Sequence, residues 1–101
     1  MLEVGCGAAH WSAALAARGA SCVALDLSAR RLAAARDAVA GTVALVQASA
    51  DTLPFADASF DLVFCDHGAA SWTDPRRMVP EAVRVLRPGG RFAANVASPW
   101  I

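Results

Sequence analysis

The segment Met1-Leu2-Glu3-Val4-Gly5-Cys6-Gly7 carries a short apolar strand directly into a glycine turn. Two glycines one residue apart at a strand's C-terminal end let backbone approach a ligand where any Cβ would collide. Nineteen positions after Gly7, the run Cys22-Val23-Ala24-Leu25 ends in Asp26, a carboxylate at the tip of a second strand. Glycine turn, helix, strand and acidic tip form the layout that holds an adenosine by its ribose hydroxyls. The opening quarter of the chain therefore commits it to a strand–helix–strand unit with a nucleoside-type cofactor at the strand ends.

The remainder continues the alternation, which argues for a parallel sheet covered on both faces. His10 to Arg18 reads as a helix with Trp11 and Leu15 on one face and Gly19 ending it. Ser21 to Leu25 is a buried strand, and Ser28 caps a second helix reaching Val39, with Leu32 and Val39 two turns apart and Gly41 as its stop. Val43 to Gln47 is a third strand, followed by a loop through Asp51-Thr52-Leu53-Pro54-Phe55 and a turn at Ala56-Asp57-Ala58-Ser59. Phe60 to Cys65 is the fourth strand. Asp74-Pro75 then pairs an N-cap with a proline at the first helical position. That third long helix carries Val79, Val83 and Leu86 on one face and is expected to end at Pro88-Gly89-Gly90, before a fifth strand from Arg91 to Val96.

Right-handed crossovers give a Rossmann-like, doubly wound α/β fold, with about five strands and strand one near the centre of an open sheet. Ligands of such sheets lie across the C-terminal strand ends, at the switch point. Gly5, Gly7, Asp26, Asp51 and Asp66 all fall just beyond such ends.

Length allows one domain, residues 1–101, and a chain this size buries only ~60–65% of its unfolded surface. The 56% hydrophobic content leans on alanine, which adds little burial per residue. Net charge is zero, all nine basic residues are arginine, and no basic run occurs, so a nucleic-acid partner is not expected. No apolar stretch approaches the ~20 residues that span a bilayer, and no signal peptide is readable, so no membrane partner is expected either. Cys6, Cys22 and Cys65 are odd in number and lack CxxC spacing, which points away from a disulfide framework and a zinc site. A reducing, cytoplasmic setting follows as the default.

Two adenosine-bearing cofactor classes fit the turn: dinucleotides and S-adenosylmethionine. A dinucleotide turn wants glycine or alanine five positions after Gly5, and that position is the bulky His10. Glu3, two residues before Gly5, would also repel a pyrophosphate but suits an ammonium and a sulfonium. The residues favour the cationic ligand, with a dinucleotide-binding domain as the lesser reading.

The chain resembles a class I S-adenosylmethionine-dependent methyltransferase, closest to the small-molecule type 11 group. Glu3-Val4-Gly5-Cys6-Gly7 resembles that family's first motif and Leu25-Asp26-Leu27-Ser28 its second. Asp51-Thr52-Leu53-Pro54-Phe55 with Ser59-Phe60-Asp61-Leu62-Val63 resembles the adenine loop and fourth strand, and Leu86-Arg87-Pro88-Gly89-Gly90 the turn before strand five. The resemblance implies that Gly5 and Gly7 admit the methionine moiety while Glu3 helps hold its amino group. Asp26 would accept both ribose hydroxyls, with Leu27 packing on the adenine. Asp51 would take the adenine amino group, Thr52 would add backbone contacts, and Asp66 would lie where cofactor meets acceptor. Ala9 stands where the family commonly has a third glycine. The family normally has seven strands and a region preceding strand one, so the resemblance implies a partial domain lacking strands six and seven and most of the N-terminal region. Met1 occupies a strand position, which suggests a start assigned too late.

Plainer roles exist for each candidate. Gly5 and Gly7 can form a simple tight turn, Asp26 a helix-capping or solvated carboxylate (though Ser28 already serves as the cap), Glu3 a strand-end acid and Asp51 an Asx-turn residue. Asp57 and Asp61 are expected to shape the turn before strand four, and Asp74 to cap its helix. His67 is the candidate general base, its unperturbed pKa of ~6.5 suiting proton removal from a hydroxyl or amine. Packing is the better account of Trp11 and Trp72 than contact with a sulfonium. The expected activity is methyl transfer to a small-molecule substrate. The competing reading is a non-catalytic remnant that binds cofactor weakly or serves as a partner module, with self-association through the exposed edge of strand five.

Overall fold

The computed structural model describes residues 1–66 and 73–95. The elements run β1 (Leu2–Val4), α1 (His10–Ala17), β2 (Val23–Asp26), α2 (Ala29–Val39), β3 (Ala44–Gln47), β4 (Phe60–Asp66), α3 (Pro75–Val85) and β5 (Leu86–Asn95). The five strands form one sheet in the order β3-β2-β1-β4-β5, and every pairing is parallel. The expected doubly wound architecture with β1 at its centre is therefore present.

Period-two alternation along β2 divides the core. Val23 and Leu25 face α3, whose Met78, Ala82 and Val85 join Leu2, Val4 and Val63 in one cluster. Cys22 and Ala24 face the other way, against Leu32, Ala35 and Val39 of α2 and the start of α1 at Ala9. Parallel strands buried on both faces need such two-sided apolar character, which Val, Leu and Ala supply here.

Helix starts follow the expected chemistry at two of three sites. Ser28 Oγ accepts from Arg31 N at the start of α2, and Asp74 Oδ1 accepts from Arg76 N at the start of α3, with Pro75 in its first turn. At α1 the cap is Ala9, in the left-handed region at φ 59°, with no side-chain bond. The αL position ending α2 falls on Ala40, with Gly41 following at φ 80°.

Trp11 and Leu15 share one side of α1, as expected, whereas the apolar face expected for α3 is not the buried one. In α1 the buried residue is Ser12, while Trp11 is 56% exposed. In α3 the inward stripe is Met78, Ala82 and Val85, leaving Val79 and Val83 on the surface. The small Ala82 lets the helix sit close to the sheet, and α3 stops at Val85, so Leu86 belongs to the strand. β5 correspondingly begins at Leu86, five residues earlier than Arg91, with an irregularity in its register between Phe60 and Leu62 of β4. Residues 87–90 bulge out there. Gly90 is required by a close approach, since a Cβ would lie 2.9 Å from Arg87 O and 3.1 Å from Asp61 O.

Candidate functional site

The C-terminal ends of β1, β2 and β3 frame a cavity of about 480 Å³. That volume falls within the roughly 300–1,000 Å³ of small-ligand sites. Gly5, Asp26, Leu27, Ser28, Ala48 and Ser49 are among its walls. The glycine turn after β1 is tied to the tip of β2: Leu25 O accepts from Gly5 N at 2.7 Å and from Cys6 N at 2.9 Å. Gly5 and Gly7 adopt φ of 70° and 54°, and a Cβ on Gly7 would meet open space. Gly7 is thus chosen by its backbone angle rather than by crowding.

Asp26 is buried and bracketed by two backbone donors. Gly7 N donates to Oδ2 and Ser28 N to Oδ1, each at 2.9 Å. One side chain therefore joins the glycine turn to the start of α2. Leu27, next in sequence, is 69% exposed and lies on the cavity wall.

Glu3 projects from β1 to the opposite side of its strand from Val4, beneath α1. It is buried, and its Oε1 accepts from Ser12 N at 3.2 Å and from Ser12 Oγ at 2.7 Å. Burial raises the Glu3 carboxyl above its ordinary value, and the two Ser12 bonds oppose that shift without cancelling it. Glu3 is not among the described walls of the cavity. Burial and the neighbouring Glu3 and Asp26 also push the Cys6 thiol up to about 12, making it a packing residue rather than a nucleophile.

Asp51 sits in the loop after β3, where its N–H donates to Ser49 Oγ at 3.1 Å. Its Oδ1 is buried and has no hydrogen-bond partner. The N–H that an Asx turn at Asp51 would bind, that of Leu53, donates to Glu81 Oε1 instead, so turn formation does not account for this carboxylate. Thr52 is exposed, and its N–H makes a long 3.4 Å bond to Ser49 O.

Asp66 belongs to a second depression, walled by Trp11, Phe64 and Asn95 among others. Trp11 Nε1 donates to Asp66 Oδ2 at 2.7 Å and Asn95 Nδ2 to Oδ1 at 2.9 Å. The exposed Trp11 is thus tied to Asp66 by a hydrogen bond as well as by packing. His67 and Trp72 lie outside the described residues.

The structure thus brings Gly5, Asp26 and Leu27 to one cavity, places Gly7 in bonding contact with Asp26, and puts Asp51 just past Ser49 and Ala50 of the cavity wall. Glu3 lies below and Asp66 to the side. Sequence reading missed Ser12, the hydrogen-bond partner of Glu3, and Asn95. A serine nine positions after an acid carries no periodic signal, although its place on the strand-facing side of α1 would have allowed the pairing.

A family model described as a methyltransferase domain matches residues 2–94. A demethylmenaquinone methyltransferase of Clavibacter sepedonicus is 44% identical over 94 residues, covering 91% of this chain and 38% of that protein. The structure of the YcgJ protein of Bacillus subtilis is similar with a TM-score of 0.83 at 33% identity, over 90% of this chain and 41% of that one. An S-adenosylmethionine-dependent methyltransferase from Methanosarcina mazei gives a TM-score of 0.81 at 29% identity, over 90% of this chain and 49% of that one. The chain spans less than half the length of each.

Proposed function

Because the chain belongs to the methyltransferase-domain family, matched over residues 2–94, we propose that it binds S-adenosyl-L-methionine in the cavity at the ends of β1, β2 and β3 and serves methyl transfer to a small-molecule nucleophile. One observation carries the choice of cofactor. A pyrophosphate needs the free N–H donors of a glycine turn and of the following helix N-terminus. Here Gly7 N is taken by Asp26 and Ser12 N, in the first turn of α1, by Glu3. The Asp26 carboxylate thus stands at the turn where a phosphate would have to bind, and it disfavours an anionic ligand there.

The residues present fit the adenosine as well. An ionised carboxylate has about four acceptor sites. Asp26 uses one on each oxygen for backbone, which leaves one on each oxygen for the two vicinal ribose hydroxyls. Leu27 offers an exposed apolar face to the base. The half-buried Asp51 carboxylate, with Oδ1 unpartnered, supplies an acceptor for the adenine amino group, and Thr52 N–H, held only by the long 3.4 Å bond to Ser49 O, is the neighbouring donor for a ring nitrogen.

When bound, the cofactor supplies a methyl group on a sulfonium, already activated for in-line displacement with a neutral thioether as leaving group. The chain's own task is then alignment and exclusion of water. Asp26 and Asp51 fix the two ends of the nucleoside, and Gly5 and Gly7 let the remainder pass close to the backbone. Asp66, held by Trp11 and Asn95, borders the side from which an acceptor approaches. Where that acceptor must lose a proton, we assign the step to His67. The thiols of Cys6 and Cys22 are free and buried, which suits the reducing cytoplasm in which we place the protein. No described helix is long and apolar enough to cross a membrane.

Titration calorimetry of the full chain with S-adenosylhomocysteine, NAD and an Asp26→Ala variant tests the reading. S-Adenosylhomocysteine is expected to bind and NAD to give no heat. The variant should lose at least about tenfold in affinity, or ~1.4 kcal/mol, while keeping its far-ultraviolet circular dichroism. Binding of NAD in preference to S-adenosylhomocysteine overturns the proposal.

A further inference from the structure

The Asp51 loop does not hold itself in place. Two charged residues on α3 grip it by its backbone. Leu53 N donates to Glu81 Oε1 at 2.8 Å, while Leu53 O accepts from Arg84 Nη2 at 2.9 Å. Phe55 O accepts from Arg84 Nη1 at 2.8 Å. The peptide groups on both sides of Leu53 are therefore captured by side chains three residues apart on one helix.

The two gripping residues also fix each other. Arg84 Nε donates to Glu81 Oε2 at 2.7 Å and Nη2 to Oε1 at 3.3 Å, and Asp57 Oδ1 accepts from Nη1 at 2.8 Å. Arg84 spreads its planar fork over two carbonyls and two carboxylates, a geometry that a lysine ammonium cannot reproduce. The Arg84 bond, ahead of the Leu53 bond, holds the Glu81 carboxyl below its usual range.

This clamp acts two residues from Asp51. On the other side Ser49 Oγ holds Asp51 N, and beneath the loop Leu53 is buried in the cluster with Met78, Ala82 and Val85. Asp51 is thus suspended between two anchors with Oδ1 buried and unpartnered. Left unanchored, a loop would turn such an oxygen out to water, because a buried acceptor without a partner is costly. Partly exposed ion pairs contribute little to global stability, so their more specific effect here is on the local geometry of the loop.

We propose that Glu81 and Arg84 are positioning residues for base recognition: by clamping Leu53 and Phe55 they hold the Asp51 carboxylate and the Thr52 N–H where they discriminate a 6-aminopurine from a 6-oxopurine. The inference rests on the cofactor reading above and extends it to the residues that set base selectivity.

S-Inosylhomocysteine is the informative probe. Its 6-oxo group accepts where the amino group donates, and its N1–H donates where adenine N1 accepts, so both loop contacts are inverted. Affinities for S-adenosylhomocysteine and S-inosylhomocysteine are measured by calorimetry on the full chain and on Arg84→Lys, Arg84→Met, Glu81→Gln, Asp51→Ala and Asp26→Ala. The parent is expected to prefer the adenosine ligand by at least about tenfold, the effect of a hydrogen bond to a charged group. Arg84→Lys and Arg84→Met should bring the preference to within about threefold, and Asp51→Ala should abolish it. Adding Arg84→Lys to Asp51→Ala should then change the ratio no further, as for residues acting through one another. Asp26→Ala should weaken both ligands alike and leave the ratio intact. Should Arg84→Met fail to fold, Arg84→Lys and Glu81→Gln carry the test. An Arg84→Lys or Glu81→Gln chain that weakens both ligands equally, at the parent's ratio, overturns the positioning role while leaving the cofactor reading standing. A folded parent that binds neither ligand overturns that reading and the clamp's role with it.

Discussion

Ser12 is a small polar residue with no exposed surface, and Glu3 is the reason. Its hydroxyl and amide are the two donors that keep a buried carboxylate ionisable. Because the folded Glu3 value lies above the ordinary 4.5, protonated Glu3 favours the folded state. That contribution is fully present below pH 4.5 and is lost as pH rises through the folded value. Ser12→Ala removes a bond that lowers the folded value, so the loss deepens on the alkaline side. The variant is expected to be destabilised by about 1–3 kcal/mol at pH 7.5 and by clearly less at pH 4, read from urea midpoints at both pH values; equal losses at the two would detach Ser12 from the Glu3 charge. At Gly90 the obstacle is rigid, since an added Cβ meets the carbonyl oxygens of Arg87 and Asp61. Gly90→Ala should therefore lower stability by about 1–3 kcal/mol, measured by the same unfolding series. Gly5, Gly7 and Asp26 were legible from sequence because strand ends and turn chemistry fix their places. Ser12, Glu81 and Arg84 were not, because their roles depend on which side of a helix meets a loop or strand distant in sequence.

For α3, hydrophobic spacing alone supports two stripes, and of the bulkier one Val79 and Val83 face outward while Leu86 passes into β5 and packs on the core. The sheet selects Met78-Ala82-Val85 instead, because Ala82 permits close approach and the chain turns into β5 straight after Val85. That choice also puts Glu81 and Arg84 beside the Asp51 loop. Met78→Ala is expected to destabilise by about 2–5 kcal/mol, as for a large core truncation. Val83→Ser should stay within about 0.5 kcal/mol of the parent. Chemical denaturation of the two variants separates the stripes, and the opposite ranking would return the Val stripe to the core. Caps were readable where side chains make them, at Ser28 and Asp74. They were not readable at Ala9 and Ala40, where alanines take left-handed backbone that local sequence gives no reason to expect.

Across the whole molecule, the parallel sheet and the central place of β1 followed from alternation and crossover handedness, since a right-handed route from β1 leaves few arrangements open. Which face each helix covers did not follow, because both faces of the sheet are apolar. The cavity draws on three strand ends, so its ligand should stabilise the whole sheet rather than one loop. S-Adenosylhomocysteine at about 100 times its dissociation constant is expected to add ~2.7 kcal/mol, raising the melting temperature on the order of 10 °C for a chain of this size. Differential scanning fluorimetry reads the shift, and Asp26→Ala held at the same ligand concentration should lose most of it. The bracket that Asp26 forms between Gly7 N and Ser28 N has a kinetic corollary. Turn, strand tip and helix start are already locked together before any ligand arrives, so capture need not wait for that part of the site to rearrange. Analogues altered at the ribose should therefore enter at similar rates and differ chiefly in how long they stay.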